Sequence, residues 1–98
     1  MAAVYILRCA DGSYYTGSTL DLQKRIDQHD AGFGSVWTRT RLPVTLVWFA
    51  QYDRIDDAFM WEKQIQGWSR AKKELLISGR NDELPGWSAR QRRESRDD

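Results

Sequence analysis

The chain is poor in cysteine and proline, has no long apolar run and carries almost no net charge. Its one cysteine, Cys9, cannot close an internal disulfide or build a zinc site, so a reducing cytoplasm is the expected compartment. No stretch approaches the roughly 20 apolar residues that a membrane helix needs. The longest apolar runs, Met1 to Leu7 and Leu46 to Ala50, are strand-sized, and no membrane association is expected. A secretory leader is not expected either, because Arg8 interrupts the apolar start and Asp11-Gly12 follows at once. Fifteen Lys and Arg against 14 Asp and Glu leave a formal net charge of +1, far from the basic balance of a typical nucleic-acid binder. What remains is an ordinary soluble composition, 41% hydrophobic and 30% charged, in 98 residues. That length suits one small domain and is too short for two independent cores.

Residues 4–18 read as a β-hairpin, with β-branched and aromatic arms about the turn signal Asp11-Gly12. A two-residue loop would put Tyr5 and Tyr15 on opposite faces. A three-residue loop of Ala10, Asp11 and Gly12 pairs Cys9 with Ser13 and puts both tyrosines on one face. Ser18 or Thr19 can cap a helix from about Leu20 to Ala31, ended by Gly32, with Leu22, Arg25, Ile26 and His29 on one face. Gly32 to Arg41 reads as a basic loop carrying Trp37. Pro43 opens a strand over residues 44–50 whose apolar run suggests cover on both faces. Asp56 is the expected cap of a second helix, to about Trp68, that buries Ala58, Trp61, Ile65 and Trp68 with Glu62 at the stripe's edge. Ser69 caps a short basic third helix that Gly79 ends. Trp48, Trp61 and Trp68 read as core. From Arg80 onward the chain is polar and reads as a disordered tail, residues 80–98, whose Trp87 can dock back on the domain. The expected order is ββαβαα in one domain, residues 1–79.

Tyr5, Tyr15, Arg25, His29 and Glu62 break their local patterns, although each taken singly fits ordinary packing or a solvated edge. Together they resemble a family. Ala3-Val4-Tyr5 and, ten residues beyond Tyr5, Tyr15-Thr16-Gly17 resemble the signature of the GIY-YIG nucleases. The helix bearing Arg25 and His29 resembles the one that follows that signature, and Trp61-Glu62-Lys63 resembles the helix that supplies the family's metal-binding glutamate. Residues 5–13, Thr38-Arg39 and residues 69–74 are similar to the short single-domain bacterial members. Ala3 and Thr16 depart from the signature's Gly and Ile, and Ser18 stands where some members carry a lysine. A late asparagine of several members has no clear counterpart, Lys72 or Lys73 being nearest.

The resemblance implies an α+β fold, a three-stranded antiparallel sheet with flanking helices, with Tyr5 and Tyr15 facing one cleft. It implies an endonuclease that hydrolyses phosphodiester bonds, in DNA rather than RNA, on structures met in repair or recombination. One Mg²⁺ or Mn²⁺ on Glu62 would act as Lewis acid, and Arg25 would bind the scissile phosphate. Tyr5 would be the general base, its pKa lowered by Arg25 and the metal, with Tyr15 orienting and His29 relaying the proton. Trp37, Arg39, Arg41, Arg70, Lys72 and Lys73 are the candidate nucleic-acid contacts. A protein partner could supply specificity; the oligomeric state is not legible. The alternatives are a non-cleaving nucleic-acid-binding module and a repair-complex adaptor. The +1 charge then reads as an average: residues 55–62 carry −3, whereas 31–54 carry +2, 63–80 carry +4 and 81–98 carry −1. An acidic spot for a cation, bordered by basic segments for phosphate, cancels in the total, and the low total argues for weak, salt-sensitive binding.

Overall fold

Turn chemistry sets the first pairing. In the computed structural model, which describes residues 2–79, β1 (Ala2–Arg8) and β2 (Tyr14–Thr19) run antiparallel with Tyr5 opposite Gly17 and Leu7 opposite Tyr15. The Cys9 N–H donates to the Ser13 carbonyl at 2.8 Å and Gly12 has φ +86°, so the loop is the three-residue one. Asp11 braces it: Oδ1 accepts from the Ser13 N–H (3.0 Å) and Oγ–H (2.6 Å), and Oδ2 accepts from Arg41 Nε (3.0 Å). These Ser13 bonds, helped by Arg41, hold the Asp11 carboxyl below its ordinary range.

β3 (Thr45–Tyr52) pairs with the other side of β1, giving the order β2-β1-β3. The strand covered on both faces is therefore β1, buried from Ala2 to Leu7. β3 is an edge strand with Phe49 48% exposed, which corrects the reading of residues 44–50 as doubly covered. An apolar run alone does not separate a central strand from an edge that lays one face on the core. Ile6 faces Trp48 but Leu7 faces Leu46, so Val47 is a bulge. The bulge brings Leu46 and Phe49 onto the Tyr5 face despite their odd spacing. There they line an open cleft with Leu22 and Ile26.

Helices cover both faces. α1 (Leu22–Asp30) lies on the Tyr5 face, where the His29 ring packs against Tyr5 and Tyr15. Its cap is Asp21, not Ser18 or Thr19: Asp21 Oδ1 accepts from the Lys24 N–H at 3.1 Å, and the helix starts at Leu22 rather than Leu20. The side chain at residue 21 reaches the third helical amide, which residues 18 and 19 are too far back to do. Residues 32–41 are not all loop. They hold one helical turn, α2 (Val36–Arg39), capped by Ser35 Oγ on the Thr38 N–H. Such a turn is too short to show a period.

α3 (Ile55–Gln66) covers the opposite face and buries Ala58, Trp61 and Ile65. Arg54 holds its cap position without a side-chain bond. Asp56, the expected cap, sits with Asp57 in the first turn, where a carboxylate suits the positive end of the helix. The helix stops at Gln66, short of Trp68.

Among the described residues, 2–67 make one compact unit and 68–79 belong to a second. In the second, α4 (Arg70–Ile77) begins at the expected cap, Ser69 Oγ accepting from the Lys72 N–H at 3.2 Å, and buries Leu76. The expected tail and the placement of Trp87 lie outside the described residues. Among the described residues no helix is long and apolar enough to cross a membrane. The fold is the anticipated α+β arrangement, ββαβαα, with α2 as an added turn.

Thr16 points to the α3 side, 4% exposed, and its Oγ1 has no hydrogen-bond partner among the described residues. A buried unpaired hydroxyl is unfavourable. Thr16→Val keeps the branched shape and is expected to raise unfolding free energy by about 1 kcal/mol. Denaturant melts of the two proteins check this, and a loss of stability would show that the hydroxyl is paired.

Candidate active site

Sheet register and one helical turn bring four of the five pattern-breaking residues together. Tyr5 and Tyr15 are diagonal neighbours on one face, with ring centroids 6.5 Å apart. His29 approaches both edge-on, 5.8 Å from Tyr5 and 5.2 Å from Tyr15. Arg25, one turn before His29, is half-buried beside the two hydroxyls. Gly17 makes the room: a Cβ there would lie 2.5 Å from Tyr5 Oη and 3.2 Å from Tyr15 Cε2.

The hydrogen bonds have a direction that can be assigned. Tyr5 Oη lies 3.0 Å from His29 Nε2, and His29 Nδ1 lies 2.9 Å from Thr38 Oγ1, all three side chains being buried. A guanidinium only donates, so Tyr5 Oη accepts from Arg25 and gives its own proton to Nε2. Neutral His29 then carries its proton on Nδ1 and donates to Thr38, whose hydroxyl shares a hydrogen bond with Ser35 Oγ at 3.0 Å. Burial, with the nearby Arg25 charge, pulls the His29 pKa from 6.5 to about 4. Burial likewise pushes Tyr5 up to about 12, although Arg25 works against it. For a phenol 1% exposed, desolvation outweighs the neighbouring Arg25 cation, so Arg25 by itself does not lower the Tyr5 pKa.

Arg25 is tied by neutral acceptors, Gln28 Oε1 at 3.0 Å, the Gly34 carbonyl at 2.6 Å and the two tyrosine hydroxyls. Burial disfavours its charge, but the two tyrosine hydroxyls outweigh that and raise its pKa. No carboxylate among the described residues pairs with it, so its charge is open to an anion. Gly34 does a second job, because any Cβ there would overlap the His29 ring.

Glu62 comes from α3, by way of edge strand β2. Its Oε1 accepts from Ser18 Oγ–H at 2.5 Å and its Oε2 from Gln66 Nε2 at 2.9 Å, with Lys63 Nζ at 3.7 Å. Gln66 also donates to the Thr16 carbonyl at 3.2 Å, locking the helix to the signature strand. The carboxylate is 12% exposed and near enough to Tyr5 for its charge to add to that rise in pKa.

The other candidates divide. Arg41 is already engaged: it pairs with Asp11 and lies 3.4 Å over the Trp37 ring. Trp37 Nε1 donates to Ser13 Oγ at 3.3 Å, and the residue is 44% exposed. Arg39 is exposed on α2. Arg70, Lys72 and Lys73 lie on α4, in the second unit. Arg70 pairs with Glu74 at 3.3 Å, Lys72 Nζ lies 4.7 Å over Trp68, and burial lowers the Lys73 pKa. Gly34, Ser35 and Thr38 join the site beyond the residues expected from sequence: Thr38-Arg39 stands out there only as a pair similar to the short family members, and nothing local marks Gly34.

Two outcomes test this geometry. In Gly34→Ala the ring and the Arg25 anchor must both shift, with an expected loss of about 1–3 kcal/mol in denaturant melts. A neutral change would show that residue 34 has room. The His29 depression also has a signed consequence, since the unfolded chain takes up the proton near pH 6.5 and the native one only near 4. Stability from neutral His29 is complete above pH 6.5 and is lost as pH falls toward 4, by on the order of 3 kcal/mol. The chain has one histidine, so His29→Gln should flatten the slope between pH 6.5 and 5; an unchanged slope would refute the assignment.

Comparisons with known proteins identify the family. Residues 1–75 match the family model described as the GIY-YIG catalytic domain. The chain is 46% identical to a UPF0213 protein of Halobacterium salinarum over 79% of this chain and 100% of that one. It is 45% identical to a UPF0213 protein of Halalkalibacterium halodurans, over 76% and 80% of the two chains. The solution NMR structure of a UPF0213 protein from Bacillus halodurans matches with a TM-score of 0.52 at 44% identity, covering 80% of this chain and 84% of that one. The chain belongs to the GIY-YIG family, among its short UPF0213 members.

Proposed function

We propose that the protein is a metal-dependent endonuclease that hydrolyses phosphodiester bonds in DNA, recognising nucleic-acid structure rather than sequence. The family implies nuclease-type activity. The observation that carries the finer reading is the pairing of an uncompensated, fixed guanidinium with two phenols on one side and an oriented carboxylate on the other. Phosphodiester hydrolysis needs a cation on the non-bridging oxygens, a group to take the water's proton and charge support at the leaving oxygen.

Glu62 fits a hard divalent cation. Both of its oxygens are oriented by neutral donors that leave lone pairs free. Among the described residues no group of three or more His, Cys, Asp and Glu converges, so the donor set is one carboxylate plus water and substrate, which suits Mg²⁺ or Mn²⁺. When bound, such an ion supplies Lewis-acid charge to the phosphate and the leaving oxygen. Arg25 binds the scissile phosphate through its donor fork. Tyr15, half-buried beside Arg25, is better placed than Tyr5 to give up its own proton to solvent and, as the phenolate, take a proton from water. Tyr5 is closed off and has its proton committed to His29, so it holds the Arg25 side of the site in place. Arg39 and the Trp37–Arg41 stack border the substrate in this unit, and Arg70, Lys72 and Lys73 supply further positive charge. The lone buried cysteine fits a cytoplasmic role in repair or recombination, with a protein partner to narrow the choice of substrate.

Incubating the protein with flap, branched, single-stranded and duplex DNA, with Mg²⁺, Mn²⁺ or chelator, tests the reading. Cleavage should require metal and fall by about 100-fold or more in Glu62→Ala and in Arg25→Ala. Binding without cleavage under any metal would assign the fold to a non-cleaving module instead.

A further inference from the structure

Apolar side chains exposed to water gather on one short segment beside the site. Phe33 is 82% exposed, Val36 73% and Trp37 44%. The segment is held in place: the Phe33 N–H donates to the Gln28 carbonyl at 2.8 Å, and the adjoining Gly34 bonds Arg25 and abuts His29. Consecutive Cα atoms are about 3.8 Å apart, so the phenyl group is anchored one residue from the carbonyl that positions the phosphate-binding arginine. The Trp37 ring is fixed by Ser13 and overlaid by Arg41. From Ala31 to Tyr52 the sequence holds no acidic residue, and Arg39 supplies positive charge, while Arg41 is paired with Asp11. An aromatic surface in a purely basic segment matches a strand that offers π faces and phosphates together.

We infer that the Phe33–Trp37 segment is a stacking platform for unpaired bases of single-stranded DNA, next to the phosphate held at Arg25. Bases inside a duplex have both faces covered by their neighbours, and only an unpaired base can lie on Phe33. The substrate is therefore a strand with unpaired nucleotides beside the cut, as in a flap or an overhang. This rests on the nuclease reading for its choice of DNA and of Arg25 as the phosphate site, while the binding surface itself is testable without cleavage.

The full chain, in chelator, is titrated with a 2-aminopurine-labelled single-stranded DNA, the same label in blunt duplex DNA, and single-stranded RNA of the same sequence. Phe33→Ala should weaken single-stranded DNA binding by about 5-fold or more and abolish the fluorescence change at the label. Phe33→Trp should retain both, duplex affinity should stay within about twofold, and the exposed position should leave the thermal midpoint unchanged. Equal losses on duplex and single strand, or none, would overturn the platform, and Phe33-dependent binding confined to RNA would overturn its assignment to DNA. Metal-dependent cleavage that needs Glu62 but ignores Phe33 sinks the platform and leaves the nuclease. Phe33-dependent DNA binding with no cleavage under any metal does the reverse.

Discussion

The buried hydrogen bond between Tyr5 and His29 is the constraint from which the rest of the site follows. Two polar rings taken out of water must find partners, because each unpaired donor or acceptor would be unfavourable. Tyr5 finds Nε2 of His29, and His29 finds Thr38, so the central strand, α1 and α2 are joined by side chains as well as by apolar contact. Gly17 leaves room for one end of this chain of bonds and Gly34 for the other. Ser35 closes it while also capping α2. The neutral state of His29 and the protonated state of Tyr5 are consequences of that burial.

Around this neutral centre the protein keeps opposite charges apart. Arg25 is held by an amide and a carbonyl, and Glu62 mainly by a hydroxyl and an amide, with Lys63 at the margin. A direct Arg25–Glu62 pair would satisfy both and leave neither for a substrate. Neutral anchors orient each group without spending its charge, and the almost balanced composition of the chain is compatible with strong local fields of both signs.

Much of this was legible because it is local. The Asp11-Gly12 turn allowed two registers, and the need for Tyr5 and Tyr15 to share a face chose the one observed. The spacing of Arg25 and His29 put them on one helical face, and the i, i+4 relation of Glu62 and Gln66 was readable as a hydrogen bond. What stayed hidden depends on distant partners. β3 looks like a central strand until the sheet order makes it an edge. Thr38 and Gly34 matter only because an irregular segment folds back on α1. The Tyr5 pKa turns on how completely its neighbours exclude water, which no spacing of residues records.

The sheet order also has a temporal side. The tyrosines, Arg25, His29 and Thr38 all lie within one early stretch of chain, and their contacts close short loops. Glu62 joins them only through Ser18, across 44 residues, after the β3 partner of the central strand has been made. Longer loops close at greater entropic cost. A chain emerging from a ribosome thus carries its phenols and guanidinium well before its carboxylate. The hydrolytic centre proposed above is complete only where α3 is docked on the sheet.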